Sequence, residues 1–206
     1  MEELVTCEGT VHSIIFQNAE NGYTVLRLLT EEGEVITVVG CIPCVAPGEH
    51  LAVSGVPETH PQHGEQLRAV ELERSLPEDE EEIFSYLSSG ICKGVGPATA
   101  RRIVERFGAE TLDVLEREPE RLTTLKGVTA RKAQEIAESF RQHMGLRRLM
   151  AFLAQYQLPP VLAMELRRQY GDAALEKVRE NPYLLSGEAC GVEFSVPDGI
   201  AMGMGL

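Results

Sequence analysis

The segment Ile91-Cys92-Lys93-Gly94-Val95-Gly96-Pro97-Ala98-Thr99-Ala100 holds the residues best suited to meet an anion. Gly94 and Gly96 permit a tight hairpin and a close approach of the main chain. Pro97 suits the first turn of a following helix, where its missing N–H costs nothing. Ala100 and Ile103 begin the buried face of that helix, which leaves Thr99, Arg101 and Arg102 to point outward. Such a corner aims bare main-chain N–H groups and the positive end of a helix at one spot, and a phosphate fits there.

A second copy follows in Leu125-Lys126-Gly127-Val128-Thr129-Ala130-Arg131-Lys132-Ala133, leading into Ile136. It keeps the first glycine and has Thr129 in place of the second; a threonine hydroxyl there either caps the helix or donates to phosphate. One Gly-x-Gly corner between helices is as often a plain connection as a binding site. Two in register with basic flanks point to nucleic acid. The candidate DNA-binding residues are therefore Lys93, Gly94, Val95, Gly96, Thr99, Arg101 and Arg102 in the first corner, and Lys126, Gly127, Val128, Thr129, Arg131 and Lys132 in the second. A dinucleotide loop is disfavoured, because a helical pattern and not a strand precedes Gly94.

The elements that must position these corners change character along the chain. Residues 5–16, 23–29, 35–39, 51–56 and 66–72 are β-branched or alternating runs separated by Asn21-Gly22, Glu32-Gly33, Pro47-Gly48 and His63-Gly64. Five short strands with tight turns predict a small barrel of the oligonucleotide-binding class. Pro77 and the acidic run 78–82 mark a boundary, the acids matching the dipole of a helix N-terminus. Helical periodicity then continues to the end. The expected class is α+β, with an OB-like barrel over 1–75, a tandem helical hairpin unit over 76–144 and a second, degenerate and truncated one over 145–206.

The second helical unit is visible as a repeat. At a shift of 63 residues, Pro97, Ala100, Gly108, Leu112, Pro119 and Leu122 fall on Pro160, Ala163, Gly171, Leu175, Pro182 and Leu185. These identities sit at apolar and helix-punctuating positions, which a structural duplication retains. One inserted residue brings Gly127-Val128 onto Gly191-Val192 and Ile136-Ala137 onto Ile200-Ala201. The second copy halts at Leu206 in what reads as mid-helix, so a truncated chain is expected.

The 206 residues carry a net charge of −13, unevenly spread: −9 over 1–75, −5 over 76–90, +4 over 91–150 and −3 over 151–206. The basic stretch coincides with the two corners, and phosphate binding needs local positive potential, not a positive total. Apolar stretches are too short for a membrane span, and the start Met1-Glu2-Glu3 is acidic where a secretory signal is basic, so a cytoplasmic protein is expected. Five scattered cysteines do not form a disulfide framework. Cys41-x-x-Cys44 and His60-x-x-His63 have zinc-like spacing, but a strand lies between them, so no metal is expected. There is no Gly-Lys-[Ser/Thr] phosphate loop and no catalytic triad or carboxylate pair, so these residues are expected to bind without catalysing and to need no cofactor of their own.

The two corners resemble the helix-hairpin-helix motif, whose tandem form grips both strands of a duplex across the minor groove without reading sequence. The stretches Gly9-Thr10-Val11, Ile15-Phe16-Gln17-Asn18, Asn21-Gly22-Tyr23-Thr24-Val25-Leu26, Val39-Gly40, Pro47-Gly48-Glu49 and 59–66 (Thr-His-Pro-Gln-His-Gly-Glu-Gln) resemble the N-terminal region of RecD-like DNA helicases, of the RecD/TraA branch of superfamily 1. The resemblance implies a small β domain, then helix-hairpin-helix units, then motor domains that use ATP and magnesium to unwind DNA in repair and recombination, as in an exodeoxyribonuclease V alpha-like protein. It implies duplex, forked or single-strand-junction DNA and the motor domains as partners, and no membrane. It also makes the third copy, Gln157-Leu158-Pro159-Pro160, and the fourth, around Gly191-Val192-Glu193, scaffold and not phosphate sites. Two alternatives stay open: a RuvA-like Holliday-junction binder, which joins a similar barrel to two such motifs, and a protein-interaction scaffold, which suits the net negative charge.

Overall fold

The computed structural model describes residues 3–187, 190–193 and 195–205. Met1, Glu2 and the expected halt at Leu206 lie outside the described residues. Contacts divide the chain into Met1–Ala19 with Tyr23–Arg141, and Glu20–Gly22 with Gln142–Leu206.

In the first unit five strands, β1 (Val5–Gln17), β2 (Tyr23–Thr30), β3 (Val35–Cys41), β4 (His50–His60) and β5 (Gly64–Ser75), close into a barrel in the order β1-β2-β3-β5-β4. All pairings are antiparallel except the short β3–β5 contact at Val38–Leu67 and Val39–Arg68. The alternation of β2 shows how sequence dictates the core: Thr24, Leu26 and Leu28 are fully buried, while Tyr23, Arg27 and Leu29 face out. Leu26 and Leu28 pack with Val11, Val38, Ile42, Val45, Leu51, Val53 and Leu67. The β4 strand runs further than its sequence pattern predicts, through Pro57. Its pairing with β1 ends at Gly55, so beyond that point only the β5 edge is bonded and a residue without an N–H is tolerated.

A buried ion pair fastens the loop after β3 to β5. Glu49 is fully buried; Arg74 reaches its Oε1 with Nη2 at 3.1 Å and Nε at 3.3 Å, and the Ala46 N–H donates to Oε2 at 2.7 Å. Arg74 Nη1 also donates to the Pro43 carbonyl at 2.7 Å.

The acidic run opens α1 (Glu80–Tyr86), as its sequence predicts: the Asp79 carboxylate accepts from the Glu82 N–H at 2.9 Å and caps the helix. Glu82 ties α1 to the barrel, accepting from Thr10 Oγ1 at 3.0 Å and meeting His50 Nε2 at 2.8 Å. A single π-type turn, Leu87–Ile91, leads to the first corner. Then come α2 (Pro97–Phe107), α3 (Thr111–Arg117), a 3₁₀ turn Pro119–Thr124, and α4 (Ala130–Gln155).

The second unit repeats that succession: α5 (Val161–Tyr170), α6 (Ala174–Glu180), a 3₁₀ turn Pro182–Ser186 and α7 (Ser195–Met204). Gly108 and Gly171 end α2 and α5 with the same backbone, at φ 54° and ψ −132° and at φ 61° and ψ −141°. Ala100, Ile103, Leu115 and Leu122 are fully buried in one copy, as are Ala163, Leu166, Val178 and Leu185 in the other. The 63-residue shift is thus a duplication of packing as well as of sequence. No helix among the described residues is long and apolar enough to cross a membrane.

Candidate nucleic-acid interface

The two corners have one backbone. Gly94 and Gly127 both lie at φ 84°, the left-handed region that favours glycine. Val95 N–H closes the first turn on Cys92 O at 3.2 Å, and Val128 N–H closes the second on Leu125 O at 3.1 Å. Each valine side chain is buried, Val95 at 5% exposure and Val128 at 6%. These two candidate residues are therefore anchors that point inward, and their amides serve the corner itself.

The amides left without a partner are those of their neighbours. In the first corner Gly96 caps α2 with no side-chain hydrogen bond, and the N–H groups of Gly94, Gly96, Ala98 and Thr99 meet no acceptor among the described residues. In the second, Thr129 Oγ1 accepts from the Lys132 N–H at 3.2 Å, the capping role of the two its sequence position allows. The N–H groups of Gly127, Ala130 and Arg131 stay without an acceptor among the described residues. Gly96 has an ordinary extended φ of −93°, and a Cβ added to it would meet nothing within 4 Å. The fold makes no steric demand for glycine there.

The basic residues separate into two kinds. Lys93 and Lys126 are exposed, Lys132 is half-buried, and none of the three has an ion-pair partner among the described residues. Arg101, expected to point outward, instead lies over the Phe84 ring at 3.7 Å and pairs with Glu81 at 3.0 Å. Stacking and the acidic first turn of α1 hold it against the protein. Arg102 is exposed but its Nη1 donates to the Lys126 carbonyl at 2.5 Å. Arg131 pairs with Glu135 one turn along α4 at 3.0 Å, in a fully solvated setting that holds it weakly. Thr99 is also corrected: its side chain is buried at 8% exposure because α2 turns that position toward the core. A residue that the sequence did not single out, Ser139 on α4, accepts from the Lys93 N–H at 2.8 Å. Nothing local marks it, since the partners are far apart in sequence.

The third corner keeps the shape but has fewer open donors. Gln157, aligned with Gly94, is at φ 58° despite its side chain. Pro159 and Pro160 stand where Gly96 and Pro97 stand, so the amide of Gly96 has no counterpart. The Leu162 and Ala163 amides are bonded to the Pro159 and Pro160 carbonyls. At the fourth corner Gly191 and Val192 also donate internally, to Gly187 O and Leu185 O. Among the described residues, the clusters of several open amides are those of the first and second corners.

Three family models match along the chain. The family model of the "ATP-dependent DNA helicase YrrC, OB-fold domain" matches residues 4–77, that of the "SAM-like Helix-hairpin-helix tandem" residues 84–142, and that of the "ATP-dependent RecD2 DNA helicase HHH domain" residues 142–206. A curated relative, the ATP-dependent RecD2 DNA helicase of Deinococcus radiodurans, is 29% identical over 197 residues, covering 92% of this chain and 27% of its own length. The chain spans about a quarter of the length of that relative. Among solved structures, the crystal structure of the S. pombe Stn1-Ten1 complex aligns at 21% identity and a TM-score of 0.29, covering 35% of this chain and 57% of that one.

Proposed function

From the premise that the chain is a RecD-like region, an OB-fold barrel joined to helix-hairpin-helix units, we propose that it grips DNA backbone without reading sequence, as a non-catalytic part of an ATP-dependent helicase. The single observation that carries this reading is the pair of matched corners, each with a left-handed glycine, a buried valine, a lysine with no ion-pair partner and a cluster of amides with no acceptor among the described residues. Amides at a helix N-terminus accept phosphate oxygens, and such contacts fix register on a duplex while carrying no sequence information. ATP and magnesium belong, in this proposal, to motor domains elsewhere in the parent, and the cytoplasm is its compartment.

A binding titration with forked and with plain duplex DNA of two unrelated sequences, at low and at moderate salt, tests the proposal. Similar affinity for both sequences, falling with salt, is the expected outcome. Absence of binding at low salt, or strong preference for one sequence, contradicts it.

A further inference from the structure

The two corners are locked to each other by a pair of crossed hydrogen bonds, each made by the helix that follows the other corner. Lys93 and Lys126 occupy the same place in their respective corners, directly before the left-handed glycine. The main chain of Lys93 is held by Ser139 of α4, which follows the second corner: its N–H donates to Ser139 Oγ at 2.8 Å. The main chain of Lys126 is held by Arg102 of α2, which follows the first corner: Arg102 Nη1 donates to its carbonyl at 2.5 Å. The same Nη1 lies 3.9 Å from where a Cβ on Gly127 would sit, so the guanidinium rests along the second corner.

We infer that Ser139 and Arg102 are positioning residues, which set the spacing of the two amide clusters so that both meet DNA phosphates at once; the inference rests on the DNA-binding reading above. Three features support this assignment. The helices that carry the locks are rigidly seated, with Ile103 and Val104 of α2 and Ile136, Ala137 and Phe140 of α4 all buried. The locks grip backbone directly before the first free amide of each corner, that of Gly94 and that of Gly127, so a shift there moves the binding groups directly. Finally, a guanidinium held on a carbonyl has fewer donors left for phosphate, and a neutral hydroxyl brings no charge at all, so neither needs to touch DNA in order to matter. Two tethered contacts engage with a high effective concentration only while their spacing fits the ligand.

The test uses the chain with Ser139→Ala, Ser139→Thr and Arg102→Met, read by amide hydrogen exchange of Lys93 in free protein and by duplex binding across a salt series. In Ser139→Ala, loss of one neutral hydrogen bond is expected to speed exchange at Lys93 about 2- to 10-fold. DNA binding is expected to weaken by a similar factor with an unchanged salt slope, and Ser139→Thr, which keeps the hydroxyl, restores both. Arg102→Met is expected to weaken binding, again without changing the slope; a phosphate contact by Arg102 would instead lower the slope by about 0.9. Faster exchange at Lys93 with unaltered DNA affinity overturns the positioning role of Ser139, and a changed slope overturns that of Arg102. Failure of the parent chain itself to bind DNA overturns the DNA reading, and with it the purpose of the locks, while the exchange data still report whether they exist.

Discussion

Gly94 and Gly96 stand two residues apart and answer to different forces. Gly94 holds a φ of 84°, so Gly94→Ala is expected to destabilise the chain by about 1–2 kcal/mol, read as a lower melting temperature. Gly96 sits at an ordinary φ with open space beside it, so Gly96→Val is expected to change stability by about 1 kcal/mol or less yet to reduce DNA affinity at least about tenfold, because its isopropyl group stands over the amide cluster. A Gly96→Val chain that melts near the parent and binds as well as it does contradicts that assignment. Cys92, which opens the first corner, is buried, and burial pushes its thiol up to about 12 from 9.0. A proton held more tightly in the folded than in the unfolded chain gives stability that is full below pH 9 and lost as pH climbs toward about 12. The melting temperature of the parent is therefore expected to fall faster than that of Cys92→Ala across this alkaline window. At neutral pH Cys92 is expected to resist alkylation, while the exposed Cys41 reacts. The glycines were legible in the sequence because their chemistry is local. The fates of the cations were not: Arg101 and Arg102 look alike in sequence, and only the packing of α1 against α2, and of α2 against the second corner, separates a stacked ion pair from a backbone clamp.

Among the elements, the acidic first turn of α1 shows how a feature that argues against nucleic acid becomes structural. Glu81 meets Arg101, Glu82 meets Thr10 and His50, and Asp79 caps the helix. Asp79→Ala is expected to lower stability by about 1 kcal/mol through loss of the cap. The barrel carries a harsher dependence: Arg74→Met strands the fully buried Glu49 carboxylate, and breaking a buried pair from one side costs about 3–5 kcal/mol. Chemical denaturation of that variant is expected to show the loss; a change under about 1 kcal/mol would mean that water reaches Glu49 and replaces the guanidinium. Strand number and order of turns were readable from period-two alternation. The extension of β4 past Pro57 was not, because whether a proline ends a strand depends on which edges are already paired. Equally unreadable was the left-handed Gln157, where the duplicated packing of the second unit imposes a corner that its residue type does not favour.

For the molecule as a whole, a net charge of −13 is reconciled with DNA by arrangement. Several acids of the first turn of α1 are partnered within the fold, while Lys93, Lys126 and Lys132 flank open amides. Few phosphates are then neutralised, and the logarithm of the binding constant is expected to fall against the logarithm of salt with a slope of only about −2 to −4. The 63-residue duplication, legible at the sequence level through punctuating and apolar positions, extends to the turn of Gly108 and Gly171, yet among the described residues the second pair of corners leaves fewer amides open, several being replaced by proline or bonded internally. The most direct measurement is a map of backbone amide chemical shifts on addition of a short duplex. The amides of Gly94, Gly96, Ala98, Thr99, Gly127, Ala130 and Arg131 are expected to move together and to saturate at one DNA concentration. Binding that leaves these amides in place, and moves only those of the barrel or of the third and fourth corners, would contradict the account.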